Sequence, residues 1–198
     1  MEKYNPVLLE MHRKIQAPGD LITIFSCFLG QLPWLGKVYL YFGLDAFSGY
    51  IQAMVAYSPD KYLCAEFLKK DIFPFYEQGG ISIRQVETSD DPEFFSFGVH
   101  PFSSFLRNLN GVVYQRTTVG GVKTNGFSQK WHQYLKEFII PALKRKKADY
   151  IDLEMLNQDL QQLIAQYNHG GSPESRIYFD AYPFNQENPI QRLKIQIN

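Results

Sequence analysis

The chain is short of the features that would settle a class at a glance. It has two cysteines, Cys27 and Cys64, in 198 residues. That excludes a disulfide framework and predicts two small buried hydrophobes in a reducing compartment. It lacks long apolar runs, since the hydrophobic stretches are strand-length and interrupted, which excludes a helical membrane span. The charged opening Met1-Glu2-Lys3 is followed by no continuous apolar stretch before Leu21, so no signal peptide is expected. Net charge is absent too, which argues against a strong nucleic-acid binder judged on total charge alone. A cytoplasmic protein with no membrane contact is the expectation.

What is present is ample material for a core. Hydrophobic residues make up 45% of the chain and aromatics 16%, far from a disordered composition. The length suits one domain. Charge is zero in sum but uneven in place. Between Gly111 and Lys147 stand Arg116, Lys123, Lys130, Lys136, Lys144, Arg145, Lys146 and Lys147, against the single acid Glu137. The run Lys144 to Lys147 reads equally well as decoration of a helix C-terminus, where cations suit the dipole.

Local patterns predict the elements. Pro18-Gly19-Asp20 breaks any earlier helix. Leu21–Leu29, Lys37–Asp45 and Tyr50–Tyr57 are rich in β-branched and aromatic residues and have short connections, Gly30–Gly36 being a turn that contains Pro33. They predict an antiparallel meander of three strands. Asp60 caps a helix carrying Leu63, Phe67 and Leu68, which Pro74 and Gly79-Gly80 end. Ile81–Glu87 is a fourth strand, reached through a helix and therefore parallel to the first. One or two short Phe-rich helices lie in residues 90–110, and Gly111–Thr118 is a fifth strand.

Residues 124–147 predict a long amphipathic helix. Phe127, Trp131, Tyr134, Leu135, Phe138 and Ala142 share one face; Asn125, Gln129, His132, Gln133 and Lys136 share the other; Pro141 interrupts it. A further helix spans Ile151–Tyr167, with Leu153, Leu156, Leu160 and Leu163 as its stripe. The last stretch, Gln191–Ile197, suits a strand or an extended arm. The order implies an α/β fold with a mixed sheet and helices on both faces. Residues 1–19 read as a lead-in, 20–170 as the core domain and 171–198 as a C-terminal extension.

Several stretches carry a family resemblance, in order and at consistent spacing. They are Gly19-Asp20-Leu21 before an apolar strand, VYLYFGLDAFSGYIQA (38–53), TSDDPEF (88–94), KTNGFSQKWHQYLK (123–136) and Tyr167-Asn168-His169. Together they resemble the catalytic core of retroviral integrases and insertion-sequence transposases, of ribonuclease-H-like fold. The arginine-proline-histidine that usually follows the closing tyrosine-asparagine is absent. The resemblance covers roughly residues 15 to 170 and implies a five-stranded sheet, three antiparallel strands and then two parallel ones.

It also implies a chemistry. The family holds two Mg²⁺ or Mn²⁺ ions on an aspartate of strand one, an aspartate after strand four and a glutamate on the long helix, because hard cations need charged oxygen ligands. The matching positions here are Phe25, Ser89 and Gln129. Ser89 and Gln129 stand 40 residues apart, close to family spacing. Phe25 offers no ligand atom, and Ser89 and Gln129 offer only neutral oxygens. No intact catalytic residue and no metal site are therefore expected. Mg²⁺ or Mn²⁺ would return only with relocated carboxylates. Glu87, Asp90 and Asp91 lie beside Ser89, whereas Asp20 is out of reach of position 25 and Glu137 is off the polar face. Asp45 reads as a hairpin hydrogen-bonding residue.

Other chemistries have less support. His12, His100, His132 and His169 share no zinc-ligand spacing, and GGVKTNG lacks the phosphate-loop pattern. His132 can touch a phosphate or simply sit solvated on a helix face.

Three functions follow. The first is an inactive integrase-like or transposase-like core derived from a mobile element, cut down from a larger enzyme and retaining DNA or RNA binding. Lys123, Asn125, His132 and Lys136 would line the former active-site face, with Arg116 and Lys130 at its edges. The second is a protein-interaction or homodimerisation domain. The third is an active metal-dependent integrase or transposase using relocated carboxylates.

Overall fold

A computed structural model describes residues 15–117 and 131–169. The expected architecture is present. Strands β1 (Ile22–Leu32), β2 (Gly36–Asp45) and β3 (Ile51–Ala56) form the meander, and β4 (Gln85–Ser89) and β5 (Val113–Thr117) extend it. The sheet order is β3-β2-β1-β4-β5. β1 runs antiparallel to β2 and parallel to β4, which is parallel to β5. The turn between β1 and β2 is tighter than expected: pairing continues to Leu32↔Gly36 past a bulge at Phe28/Gly30. β4 starts later than expected because Ile81–Ile83 have no strand partner, although Ile83 is buried.

The β1 residues alternate between two cores, as strand geometry requires. Phe25 joins Phe42, Ala53, Trp131 and Leu160 on one side, while Ile22 and Ile24 join Val86, Phe67 and Phe102 on the other. This alternation decides which side chains of β4 and β5 can share a site.

Pro74, expected to end a helix, and Pro141, expected to kink or interrupt one, both sit inside helices. Helix α1 (Lys61–Phe67), capped by Asp60 as expected, runs through a π-turn at Leu68–Ile72 into α2 (Phe73–Gln78), which contains Pro74. Helix α3 is Pro101–Arg107. Residues 131–134 are helical and run through a second π-turn, Leu135–Ile139, into α4 (Ile140–Arg145), which contains Pro141. In each case the residue before the proline donates back five residues, Phe73 to the Leu68 carbonyl and Ile140 to the Leu135 carbonyl. The ring thus enters where the ladder has already been widened.

The buried residues follow the same geometry. Cys64, Leu68, Ile72 and Tyr76 repeat every four residues, as do Trp131, Leu135, Ile139 and Leu143, and all are at most 2% exposed. Three steps of four residues overshoot three α-turns by about 120°, and the extra residue of a π-turn absorbs about 100° of that. Leu63, expected on the apolar face, is 43% exposed, and Phe138 and Ala142 are only half-buried, because the stripe has this longer period.

Helix α5 (Leu153–Asn168) is capped by Asp152 and closes the β3 edge. Asn168 accepts from the Ile51 N–H at 2.9 Å and donates to the Ile51 carbonyl at 2.8 Å, and Gln161 donates to the Ala53 carbonyl at 2.7 Å. Two side-chain amides thereby take the place of a sixth strand. Asn168→Ala should cost about 2–3 kcal/mol, since it orphans a buried donor and acceptor together. A urea midpoint unchanged by that substitution would contradict this role.

The cysteines are free, Cys64 buried and Cys27 partly so. Burial pushes the Cys27 thiol up to about 12, against the pull of the Lys144 charge. No helix among the described residues is long and apolar enough to cross a membrane.

Candidate functional site

The position where the resemblance would set an active site can be built from the register. Ile24 and Thr88 are the last paired residues of β1 and β4, and Phe25 and Ser89 stand one step beyond them. Ser89 ends β4, whereas Phe25 lies inside β1, just past the last residue of that strand paired with β4.

Phe25 is 6% exposed. Its ring stacks on Phe42 with centroids 5.3 Å apart and meets the His132 ring at 4.6 Å, while Trp131 packs edge-on to Phe42 at 5.5 Å. His132 is therefore half-buried against an aromatic ring rather than solvated on a helix face. Ser89 donates its hydroxyl to Asp91 at 2.5 Å. Among the described residues Phe25 brings no oxygen to this seat, and Ser89 brings a neutral hydroxyl that donates to Asp91. Among the described residues no three His, Cys, Asp or Glu side chains converge. Gln129 lies outside the described residues.

Three of the acids near Ser89, Asp90, Asp91 and Glu93, hold side-chain partners. Asp90 pairs with Arg116 at 3.3 Å, and Asp91 holds Ser89. Glu93 is buried and accepts from Ser26 at 2.6 Å on the opposite side of β1 from Phe25. Glu87, also buried, pairs in register with Thr23 and Gln115 on the Phe25 side. Sequence reading missed the Glu93 tether. Its only signal was an acid beside a buried Phe94.

Asp45 behaves as expected for a hairpin residue, and does more. Fully buried, it accepts from Phe47 N–H (2.9 Å), Ser48 N–H (2.8 Å), Gly19 N–H (2.7 Å) and the Tyr76 hydroxyl (3.0 Å). Burial pushes its carboxyl above the ordinary value, while these donors pull the other way. It thus joins the β2–β3 turn, the entry to β1 and α2. Gly19 has φ +84°, and a Cβ there would stand 2.7 Å from the Ser82 carbonyl oxygen, so the approach requires glycine. Asp20 is turned away from the site, accepting from Gln16 and Ala17 N–H and pairing with Arg84.

The expected nucleic-acid contacts are not all brought together. Lys123, Asn125 and Lys130 lie outside the described residues. Lys136 is exposed on the second π-turn. Arg116 pairs in register with Thr88, which places it on the opposite face of the sheet from Phe25. Its guanidinium lies 3.6 Å from the Phe95 ring centroid. Of the basic run, Lys146 is held by Asp159 at 2.8 Å, and Asp159 also accepts from the Tyr150 hydroxyl at 2.9 Å.

No protein-family model matches the chain, and no curated protein does. Solved structures do. A chain of the cryo-EM structure of the simian T-cell lymphotropic virus intasome in complex with PP2A regulatory subunit B56 gamma superposes with a TM-score of 0.54 at 16% identity. That match covers 77% of the present chain and 49% of the other, so this chain spans about half the length of its counterpart. The crystal structure of the catalytic core domain of BIV integrase superposes with a TM-score of 0.54 at 15% identity, covering 81% of this chain and 94% of that core. At such identities the likeness is one of fold. The chain adopts the ribonuclease-H-like fold of the retroviral integrase catalytic core.

Proposed function

We propose that this protein is a non-catalytic member of the integrase and transposase lineage, derived from a mobile element, that binds nucleic acid without cutting or joining it. One observation carries the reading. The place of the first metal-binding carboxylate is filled by Phe25, locked between Phe42 and His132. A site rebuilt as aromatic core serves stability, not metal chemistry. Removing acids from this face also makes it less repulsive to phosphate. A cytoplasmic protein remains the reading.

Filter binding of DNA and RNA over a salt series tests it. Measurable affinity at low salt, falling with a modest slope as salt rises, is expected, with no strand transfer when Mn²⁺ is added. Lack of affinity for either polymer at low salt rejects the binding half; strand transfer rejects the non-catalytic half and returns the relocated-carboxylate reading.

A protein-interaction role is favoured by a different feature. Trp34 is 70% exposed, with its indole N–H donated to the Ala148 carbonyl, and Ile151 nearby in sequence is 67% exposed. Light scattering across a concentration series distinguishes it, since a homodimer would weaken on Trp34→Ala.

A further inference from the structure

The loop after β4 carries a surface that the empty carboxylate positions do not explain. Phe97 is 97% exposed and Val99 89%. The Phe97 ring meets Phe95 edge-on, centroids 5.8 Å apart, and the Arg116 guanidinium covers Phe95 at 3.6 Å. Neighbouring residues are pinned. Phe94 is fully buried and its carbonyl accepts from the Tyr114 hydroxyl, Glu93 accepts from Ser26, and the His100 ring meets the Pro92 carbonyl at 3.1 Å. Phe97 is therefore presented from an anchored loop at the carboxyl end of β4.

We infer that Phe97, with Phe95 and Arg116, forms a stacking platform for the bases of single-stranded nucleic acid. This rests on the binding reading proposed above and extends it to the face of the sheet opposite Phe25. Exposed aromatic faces beside a cation are the elements by which proteins hold single strands with little sequence preference. Asp90 is paired with Arg116 and Glu93 is buried on Ser26, while Asp91, bonded to the neutral Ser89 hydroxyl, keeps its charge, so the platform holds a base by stacking rather than by charge. A duplex is the poorer ligand, because its base faces are already covered by their neighbours. Val99 adds apolar surface next to the ring, and a protein-binding tip is the competing outcome.

Fluorescence anisotropy with a labelled oligothymidylate and a labelled duplex of the same length, using the full chain at low salt, tests the inference. The single strand should bind more tightly. Phe97→Ala should weaken it about tenfold with the salt slope unchanged, because a stacking face is lost and no phosphate contact. Phe97→Trp should retain binding and show tryptophan quenching on adding the oligonucleotide. Binding that Phe97→Ala leaves intact, or a preference for duplex, overturns the platform while the nucleic-acid reading stands. Loss of self-association in Phe97→Ala, with oligonucleotide binding unchanged, assigns the tip to protein contact and also overturns it. Failure of both probes to bind removes the platform and the reading beneath it together.

Discussion

Replacing Asp45 by alanine should remove about 4 kcal/mol of folding stability, an effect at the upper end for a single side chain. Three backbone N–H groups and the Tyr76 hydroxyl converge on this carboxylate, from three separate parts of the chain. The bonds from Gly19, Ser48 and Tyr76 are buried and that from Phe47 is part-buried, so most of these donors have no water at hand. Each orphaned buried donor costs on the order of 1–3 kcal/mol, and local relaxation recovers part of the total. Asp45→Asn keeps one accepting oxygen and turns an NH₂ toward the other donors, so about 2 kcal/mol is expected from it. Denaturant unfolding at neutral pH measures both. A loss below 1 kcal/mol for the alanine variant, on the scale of an ordinary surface change, would mean that the turn finds other acceptors.

Placing a carboxylate in the aromatic core by Phe25→Asp should cost about 5 kcal/mol. Removing a buried phenyl ring alone costs about 3–5 kcal/mol. The introduced carboxylate must then sit against Phe42 and the His132 ring, which adds a desolvation penalty unless it protonates. Phe25→Leu, which keeps the site apolar, should cost about 1.5 kcal/mol. The triple change Phe25→Asp, Ser89→Asp and Gln129→Glu should lower the melting temperature without metal. Repulsion between clustered acids contributes to that loss, and the loss of aromatic packing at Phe25 is the larger part. Mn²⁺ should raise the melting temperature of the triple variant by mass action if its carboxylates converge. A triple variant as stable as the parent would show that Phe25 is not the keystone of this core.

Much of the fold was legible because strand alternation and turn residues act locally. The hairpin role of Asp45 and the capping role of Asp60 could be read from position alone. The passage of two helices through Pro74 and Pro141 could not, as a proline rule treats every α-turn alike. The missed signal was the four-residue period of Cys64, Leu68, Ile72 and Tyr76 and of Trp131, Leu135, Ile139 and Leu143, too long for an α-helix and right for one containing a π-turn. At the site, order and spacing single out Phe25 and Ser89 as the matching positions, and the register sets both one step beyond the last β1–β4 pair. The face of Arg116 was not, because it depends on the phase of β5 relative to β4, a tertiary quantity. The Ser26–Glu93 bond joins residues far apart in the chain, which no local pattern reports.

The amides of Asn168 and Gln161 on β3 have a consequence for association. The sheet has two outer strands, and the β3 side is occupied by α5. Among the described residues no strand lies beyond β5, where Val113 is 59% exposed. Growth by edge pairing needs two free edges per molecule, one to join and one to offer. With β5 the one open edge among the described residues, pairing between their outer strands is self-terminating: two copies consume each other's edge.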